Sequence, residues 1–256
     1  MEFLLVGTDR RQDCLAALLK NRHRVFRFES GDCPTAVDAI ALPCPSFDAA
    51  GRLRATASPD DLRPFIRDDT VIFCCGGEKA ARDLSPHCLD LLSDEVTVLE
   101  NARLTAEAAL LAVSEHTQDS LHGKRCLTVG CGRIGTYLTR LLRSLGANCT
   151  VFARRASTRA LAEGFGWHTA APGKAALEGF DFVFNTVPAQ ALSRSELSAL
   201  PQTCVWVELA SAPGGLPTGG APFAFSVLPA GGLPGKYLPH AAARVLYDAI
   251  ERQIGI

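Results

Sequence analysis

The sequence predicts an α/β protein built as two parallel-sheet halves, and three observations point there. Short apolar runs alternate with amphipathic segments from one end to the other, the pattern of strand-helix-strand units. At 256 residues the chain has room for two modest domains. A segment rich in strong helix formers lies near the middle, where a connecting helix would join the halves.

The first half is expected to span residues 1–100. It opens on the apolar run "EFLLVG" (2–7), followed by "QDCLAALLKN" (12–21), whose leucines and alanines share one helical face, and by the strand "RVFRFE" (24–29). Further strands are read at "AIALP" (39–43) and "TVIFCCGG" (70–77), and "VTVLE" (96–100) closes the half as its last strand. Residues 101–118 form the link, with "TAEAALLAVSEHTQ" (105–118) as a buried connecting helix that starts near Thr105 or Asn101. The second half, 119–235, repeats the alternation with strands at "RCLTVG", "CTVFA", "FDFVFNTV" and "CVWVELA" and helices at "RIGTYLTRLLRSLG", "STRALAEGFG" and "RSELSAL". After glycine- and proline-rich loops, residues 236–256 carry a terminal helix from about Leu238 to Gln253, whose apolar face suits a return to the N-terminal domain.

Several function classes are set aside by composition. Apolar residues make up 47% of the chain and charged residues 21%, with a net charge of -1, which fits neither disorder nor nucleic-acid binding. The opening apolar run is too short for a secretory signal and no stretch reaches the length of a membrane span, so a cytoplasmic protein is expected. The ten cysteines are scattered and several sit in strand-like runs, which reads as reduced core thiols. No C-x-x-C pair or histidine cluster suggests a metal site, and His23, His87, His116, His122 and His168 are assigned structural or surface places.

The chemistry starts at "GCGRIG", which fits G-x-G-x-x-G at Gly130, Gly132 and Gly135, with Arg133 and Ile134 between them. A strand precedes it, and a helix and a second strand follow, as a Rossmann-like dinucleotide site requires. Gly130 permits the turn, Gly132 lets a pyrophosphate approach the backbone, and Gly135 lets the helix sit close to the sheet. The position where NAD enzymes place an acid falls at about Ala153, and Arg154 and Arg155 follow it. Guanidinium forks match the oxygens of a 2′-phosphate, so NADP is the expected cofactor, with Ser157 or Thr158 adding a hydroxyl. "NTVPA" (Asn185, Thr186, Val187, Pro188) and "ELASAPGG" (with Ala210 and Ser211) end the next strands, where ligands of such sheets bind. The fold expected is therefore two Rossmann-like domains with a cofactor cleft between them.

Taken in order, "NARLTAEAAL", "VGCGRIG", "VFARR", "FNTVPA", "LASAPGG" and "GGLPGK", with the opening "VGTDRR", resemble the A subunits of bacterial dipicolinate synthase over most of the chain. The resemblance implies an NADP-linked dehydrogenase subunit that oxidises a dihydrodipicolinate-type compound to pyridine-2,6-dicarboxylate. It further implies a B-type flavoprotein partner, a homo-oligomer, and the mother cell of a sporulating bacterium. The sequence departs from the family at "YLPHAAA", where His240 stands in place of an expected lysine.

Aromatising a dihydropyridine removes a hydride and a proton, so the site needs a base and a clamp for two carboxylates. Arg10 and Arg11 are candidates for the clamp, since a planar fork binds carboxylate through two bonds. Lys236 and His240 are candidates for the base: histidine on its chemistry, lysine on the resemblance. They are spaced i, i+4, and would share a face if one helix already covers both. Glu107 can reach the cleft from the connecting helix, although a first-turn acid serving the helix N-terminus is the commoner role. Two other readings remain open, a shikimate-dehydrogenase-like reductase, suggested by "ARRASTRALAE" and "DFVFNTVP", and an NADP-sensing subunit without hydride transfer.

Overall fold

A computed structural model describes the chain except residues 32, 49, 174–176, 220 and 256. It divides into two units. Unit 1 comprises Met1–Asn101 and Pro234–Ile256, and unit 2 Ala102–Leu233.

Unit 1 holds strands β1 (Glu2–Leu5), β2 (Arg24–Arg27), β3 (Ala39–Ala41), β4 (Val71–Cys74) and β5 (Cys88–Asp90), with helices α1 (Arg10–Leu19), α2 (Pro59–Leu62) and α3 (Glu78–Arg82) between them. The strands are parallel in the order β2-β1-β3-β4-β5, so the winding reverses between β1 and β3. Phe3 and Leu5 join a core on one face of the sheet, while Leu4 and Val6 enter a second core on the other, the alternation a strand imposes. "VTVLE" is not the closing strand. Val96 and Glu100 lie in α4 (Glu95–Thr117), which starts ten residues before Thr105, and the edge strand is β5. Asp94 sets that start, its carboxylate accepting from the backbone N–H of Thr97 at 3.2 Å and from the Thr97 hydroxyl at 2.7 Å. Three β-branched residues among five look like a strand, yet the cap and the helix formers that follow outweigh that local preference.

The C-terminal segment adds α8 (Leu233–Tyr237) and α9 (Pro239–Ile254). In α9, Ala242, Ala243, Leu246, Ala249 and Ile250 recur at helical spacing, and Ala243, Leu246, Ala249 and Ile250 complete the core that Leu15 and Leu19 of α1 contribute to unit 1. A buried leucine or isoleucine of this kind contributes about 1.5–3 kcal/mol. Glu251, also buried, receives Arg22 at 3.1 Å and pairs with His23 at 3.2 Å, so the helix is tied to the β1-α1-β2 unit by polar as well as apolar contacts.

Unit 2 contains β6 (Arg125–Val129), α5 (Arg133–Ser144), β7 (Asn148–Phe152), α6 (Ala156–Gly164), β8 (His168–Ala170), β9 (Phe182–Asn185), α7 (Arg194–Ser198), β10 (Val205–Glu208) and β11 (Ser226–Pro229). Its six parallel strands follow the order β11-β10-β9-β6-β7-β8, the doubly wound arrangement with its switch between β6 and β9. β8 and β11, not among the strands read from sequence, are short edge strands with exposed or half-buried residues, so neither carries the apolar run that marks the central strands.

Candidate functional site

The turn after β6 shows what each glycine does. Gly130 has φ +96°, and a Cβ there would lie 2.6 Å from Thr186 Oγ1 and 2.7 Å from Val187 Cγ2. A Cβ on Gly135 would collide with the carbonyl oxygen of Gly130, so helix α5 comes as close as it does only without a side chain. Gly132 differs: a Cβ there would meet nothing within 4 Å. It is the N-cap of α5 and supplies no capping side chain, which leaves the helix N-terminus open toward this space. Two glycines are needed by the fold and the third borders open space at a positive helix end, which is what a pyrophosphate requires. Arg133, exposed, and Ile134, half-buried, follow in the first turn. Thr186 closes the switch point, its N–H and hydroxyl both donating to the Val129 carbonyl, at 3.0 and 2.9 Å.

Past β7, Ala153 is buried while Arg154 and Arg155 are exposed, and neither guanidinium has a hydrogen-bond or ion-pair partner among the described residues. Arg155 is the N-cap residue of α6 and makes no side-chain cap; Ser157, exposed, and Thr158, half-buried, lie in the first turn. A third arginine, missed from sequence, braces this corner: Arg159 Nη1 donates to the carbonyls of Ala153 at 2.7 Å and Arg154 at 2.9 Å. Its signal was present as one more arginine, one helical turn beyond Arg155.

Asn185 turns inward. Fully buried, its Nδ2 donates to the Val187 carbonyl at 2.9 Å and to Glu208 Oε1 at 2.6 Å, while its Oδ1 accepts from the Val187 N–H at 3.2 Å. Thr186 and Val187 are half-buried and Pro188 is exposed. Glu208, which sequence reading left out although it begins "ELASAPGG", also accepts from Trp206 Nε1 at 3.0 Å and from the N–H groups of Ala210 at 3.2 Å and Gly215 at 3.0 Å. Ser211 is exposed on the turn that this carboxylate holds.

In unit 1 the two arginines separate. Arg11 is 5% exposed, and its Nη2 donates to Asp9 at 3.0 Å and to the Cys44 carbonyl, which ties the end of β1 to the segment after β3. Burial works against its charge, but Cys44 and Asp9 outweigh that cost and hold its pKa above the ordinary value. Its guanidinium lies against Gly235, where a Cβ would be 3.2 Å from Arg11 Cζ. Arg10, by contrast, is exposed and has no hydrogen-bond or ion-pair partner among the described residues.

The two candidate bases do not share one helix. Lys236 belongs to α8 and His240 to α9, with the break at Leu238 just before Pro239, which cannot continue the earlier helix. Lys236 Nζ bonds to Tyr237 Oη at 3.0 Å and sits 4.6 Å from that ring's centre. His240 is exposed, with Nδ1 3.4 Å from Sγ of Cys14 on α1, a partner that sequence spacing gives no hint of. Glu107 is not in a first turn: it lies midway along α4 and pairs with Arg103 at 2.5 Å.

A doubly wound sheet with an open glycine turn at a helix N-terminus is the arrangement in which dinucleotide-binding domains seat a pyrophosphate. Residues 98–210 match the family of D-isomer specific 2-hydroxyacid dehydrogenases, NAD binding domain. Over a longer stretch the chain is 28% identical to the dipicolinate synthase A subunit of Bacillus subtilis (strain 168), across 230 residues that span 84% of this chain and 77% of that one. The crystal structure of the dipicolinate synthase A subunit from Bacillus halodurans has the same fold, with a TM-score of 0.82 at 22% identity, covering 100% of this chain and 98% of that one. Transhydrogenase from Sinorhizobium meliloti shares the architecture more distantly, with a TM-score of 0.69 at 12% identity over 98% and 93% of the two chains. Among the described residues no helix is long and apolar enough to cross a membrane.

Proposed function

We propose that this chain is the NADP-linked dehydrogenase component of a dipicolinate synthase, oxidising a dihydrodipicolinate to pyridine-2,6-dicarboxylate. What carries this reading is the extent of the relationship: the dehydrogenase family accounts for residues 98–210 alone, whereas the dipicolinate synthase relative spans 84% of the chain. The preference for NADP is supported by Ala153 in place of an acid and by the free guanidiniums of Arg154 and Arg155. Aromatisation removes a hydride, for which a bound nicotinamide would be the acceptor, and releases one proton.

The chain's own part is to hold the substrate and take that proton. Arg10, exposed and unpartnered among the described residues, suits a substrate carboxylate; Arg11, committed to Asp9 and Cys44, positions the turn that presents it. His240 is our choice of base. In the tautomer that carries its hydrogen on Nδ1, which would donate to Cys14 Sγ 3.4 Å away, Nε2 is left to accept a proton. Lys236 is the competitor. The proposal includes a B-type flavoprotein partner, a homo-oligomer, and a place in the cytoplasm of a sporulating mother cell.

The test supplies the purified chain, a B-type partner, dihydrodipicolinate and NADP, and follows formation of the aromatic dicarboxylate. The assembled pair is expected to exceed the spontaneous rate, with His240→Ala lowering kcat more than Lys236→Ala. No acceleration with NADP demonstrably bound would overturn the enzyme reading in favour of a cofactor sensor.

A further inference from the structure

We propose that Glu208 is a positioning residue for the cofactor, fixing the two loops that follow β9 and β10 in the shape that accepts the dinucleotide. It stands at the carboxyl end of β10, beside Asn185 at the end of β9, in the register that pairs the two residues across the sheet. Its two oxygens divide four donors evenly. Oε1 takes Asn185 Nδ2 at 2.6 Å and the Ala210 N–H at 3.2 Å; Oε2 takes Trp206 Nε1 at 3.0 Å and the Gly215 N–H at 3.0 Å.

The consequences spread to both loops. Asn185, oriented by Glu208, holds the N–H and carbonyl of Val187, and Val187 with Thr186 forms the wall against Gly130. The Gly215 N–H closes the other loop over the same carboxylate, and any Cβ on Gly215 would collide with the Asn185 amide. One carboxylate thus fixes both loops, of which the one after β9 borders the glycine turn. An amide cannot substitute. Whichever way a glutamine side chain is turned, its NH2 faces two N–H donors, and a donor against donors is a lost bond and a repulsion.

The inference rests on dinucleotide binding at this turn and not on the choice between NADP and NAD, so it survives if the NADP preference fails. Its test measures dissociation constants of both cofactors, with melting temperature, for the full chain and for Glu208→Gln, Trp206→Phe and Thr139→Val. Thr139, also buried in unit 2, bonds to Thr128 at 3.1 Å and serves as a control for mere destabilisation. Glu208→Gln is expected to weaken NADP and NAD alike by at least ~10-fold, whereas Thr139→Val, at a similar loss of melting temperature, leaves both unchanged. Trp206→Phe removes one donor together with part of a fully buried core side chain, so it keeps the question open to measurement should Glu208→Gln not fold, and, judged against the Thr139→Val control, is expected to weaken both cofactors by about 2- to 5-fold. Unchanged affinity in Trp206→Phe or Glu208→Gln, or an equal loss in Thr139→Val, would overturn the proposal.

Discussion

Two turns in this protein start from the same architecture and end in opposite states. In each unit a buried strand runs into a glycine with positive φ and then a helix: Gly7 (φ +113°) before α1, Gly130 (φ +96°) before α5. After β6 the helix end is uncapped and the space beside Gly132 is open. After β1 the corresponding groups are already taken. Asp9 caps α1 through the Gln12 N–H at 2.9 Å, and Glu29, just past β2, accepts the Gly7 N–H at 2.7 Å. Two carboxylates of the chain therefore occupy, in unit 1, the positive ground that unit 2 leaves open. The comparison teaches that a doubly wound sheet does not by itself make a nucleotide site; the side chains at the helix end decide what can enter.

The largest effect that can break this contrast is at Gly135. A valine there cannot avoid the Gly130 carbonyl, so Gly135→Val is expected to cost about 3 kcal/mol or more of stability and to abolish cofactor binding. Gly132→Ala should do something different: with φ near -83° and no neighbour, the methyl leaves the melting temperature unchanged but stands where the pyrophosphate approaches. Titration calorimetry alongside thermal unfolding checks the split. Equal cofactor affinity in Gly132→Ala and the parent would mean that the open space is not the phosphate site.

Next in size is the effect expected at the arginine pair proposed to hold the 2′-phosphate. Arg154→Ala removes a charge-assisted contact expected to contribute about 1.5–3 kcal/mol, some tenfold or more in NADP affinity, with NAD affinity unchanged. Arg159→Ala is expected to act the same way more weakly, since it holds only the backbone carbonyls of Ala153 and Arg154. Equal affinities of the parent for NADP and NAD would remove the basis of both expectations.

The glycine turn and the arginine pair stand out in the sequence because the functions proposed for them depend on residue type and spacing along the chain. The same holds for the central strands, whose apolar runs stand out. Other features were hidden where the decisive interaction is between residues distant in sequence. "VTVLE" reads as a strand until Asp94 is seen to cap a helix, and β8 and β11 lack an apolar pattern because edge strands are half wet. Cys14 meets His240 across 226 positions, and Glu208 gathers donors whose identity depends on how two loops fold. Arg10 and Arg11 are adjacent letters with opposite fates, and helical geometry alone puts one inward and one outward.

That difference gives the third prediction. Arg11→Ala leaves the Cys44 carbonyl and Asp9 without their buried donor and should cost about 2 kcal/mol of stability. Arg10→Ala, on an exposed side chain with no partner among the described residues, should leave stability within about 0.5 kcal/mol of the parent while raising the substrate KM. A clamp at Arg10 acts on ground and transition states alike, so kcat should hold. If Arg10→Ala left KM unchanged, the carboxylate would have to be bound elsewhere.

The smallest expected effect concerns acid, and it again separates the two units. In unit 2 the carboxylate of Glu196 forms a capping box with Ser193 and also accepts the Gly173 N–H at 2.9 Å, so its protonation loosens contacts within unit 2. In unit 1 Asp94 joins elements far apart in sequence: it accepts from the Thr97 hydroxyl at 2.7 Å at the start of α4 and receives Arg252 from the end of α9. The Thr97 hydroxyl first, and Arg252 second, lower its pKa to about 2 from an ordinary value of 3.8. Because the folded pKa lies below the unfolded one, the stabilisation is fully present above about pH 4 and is lost as pH falls toward 2. The pair is partly solvated, so its contribution is expected to stay under about 1 kcal/mol. Hydrogen exchange at pH 3 should therefore show earlier loss of protection in α9 than in the unit 2 sheet. Asp94→Asn should reproduce that loosening at pH 7 and flatten the acid response between pH 4 and 2. An unchanged acid response in Asp94→Asn would assign the sensitivity of α9 to another group, with the Glu251 contacts to Arg22 and His23 the first to examine.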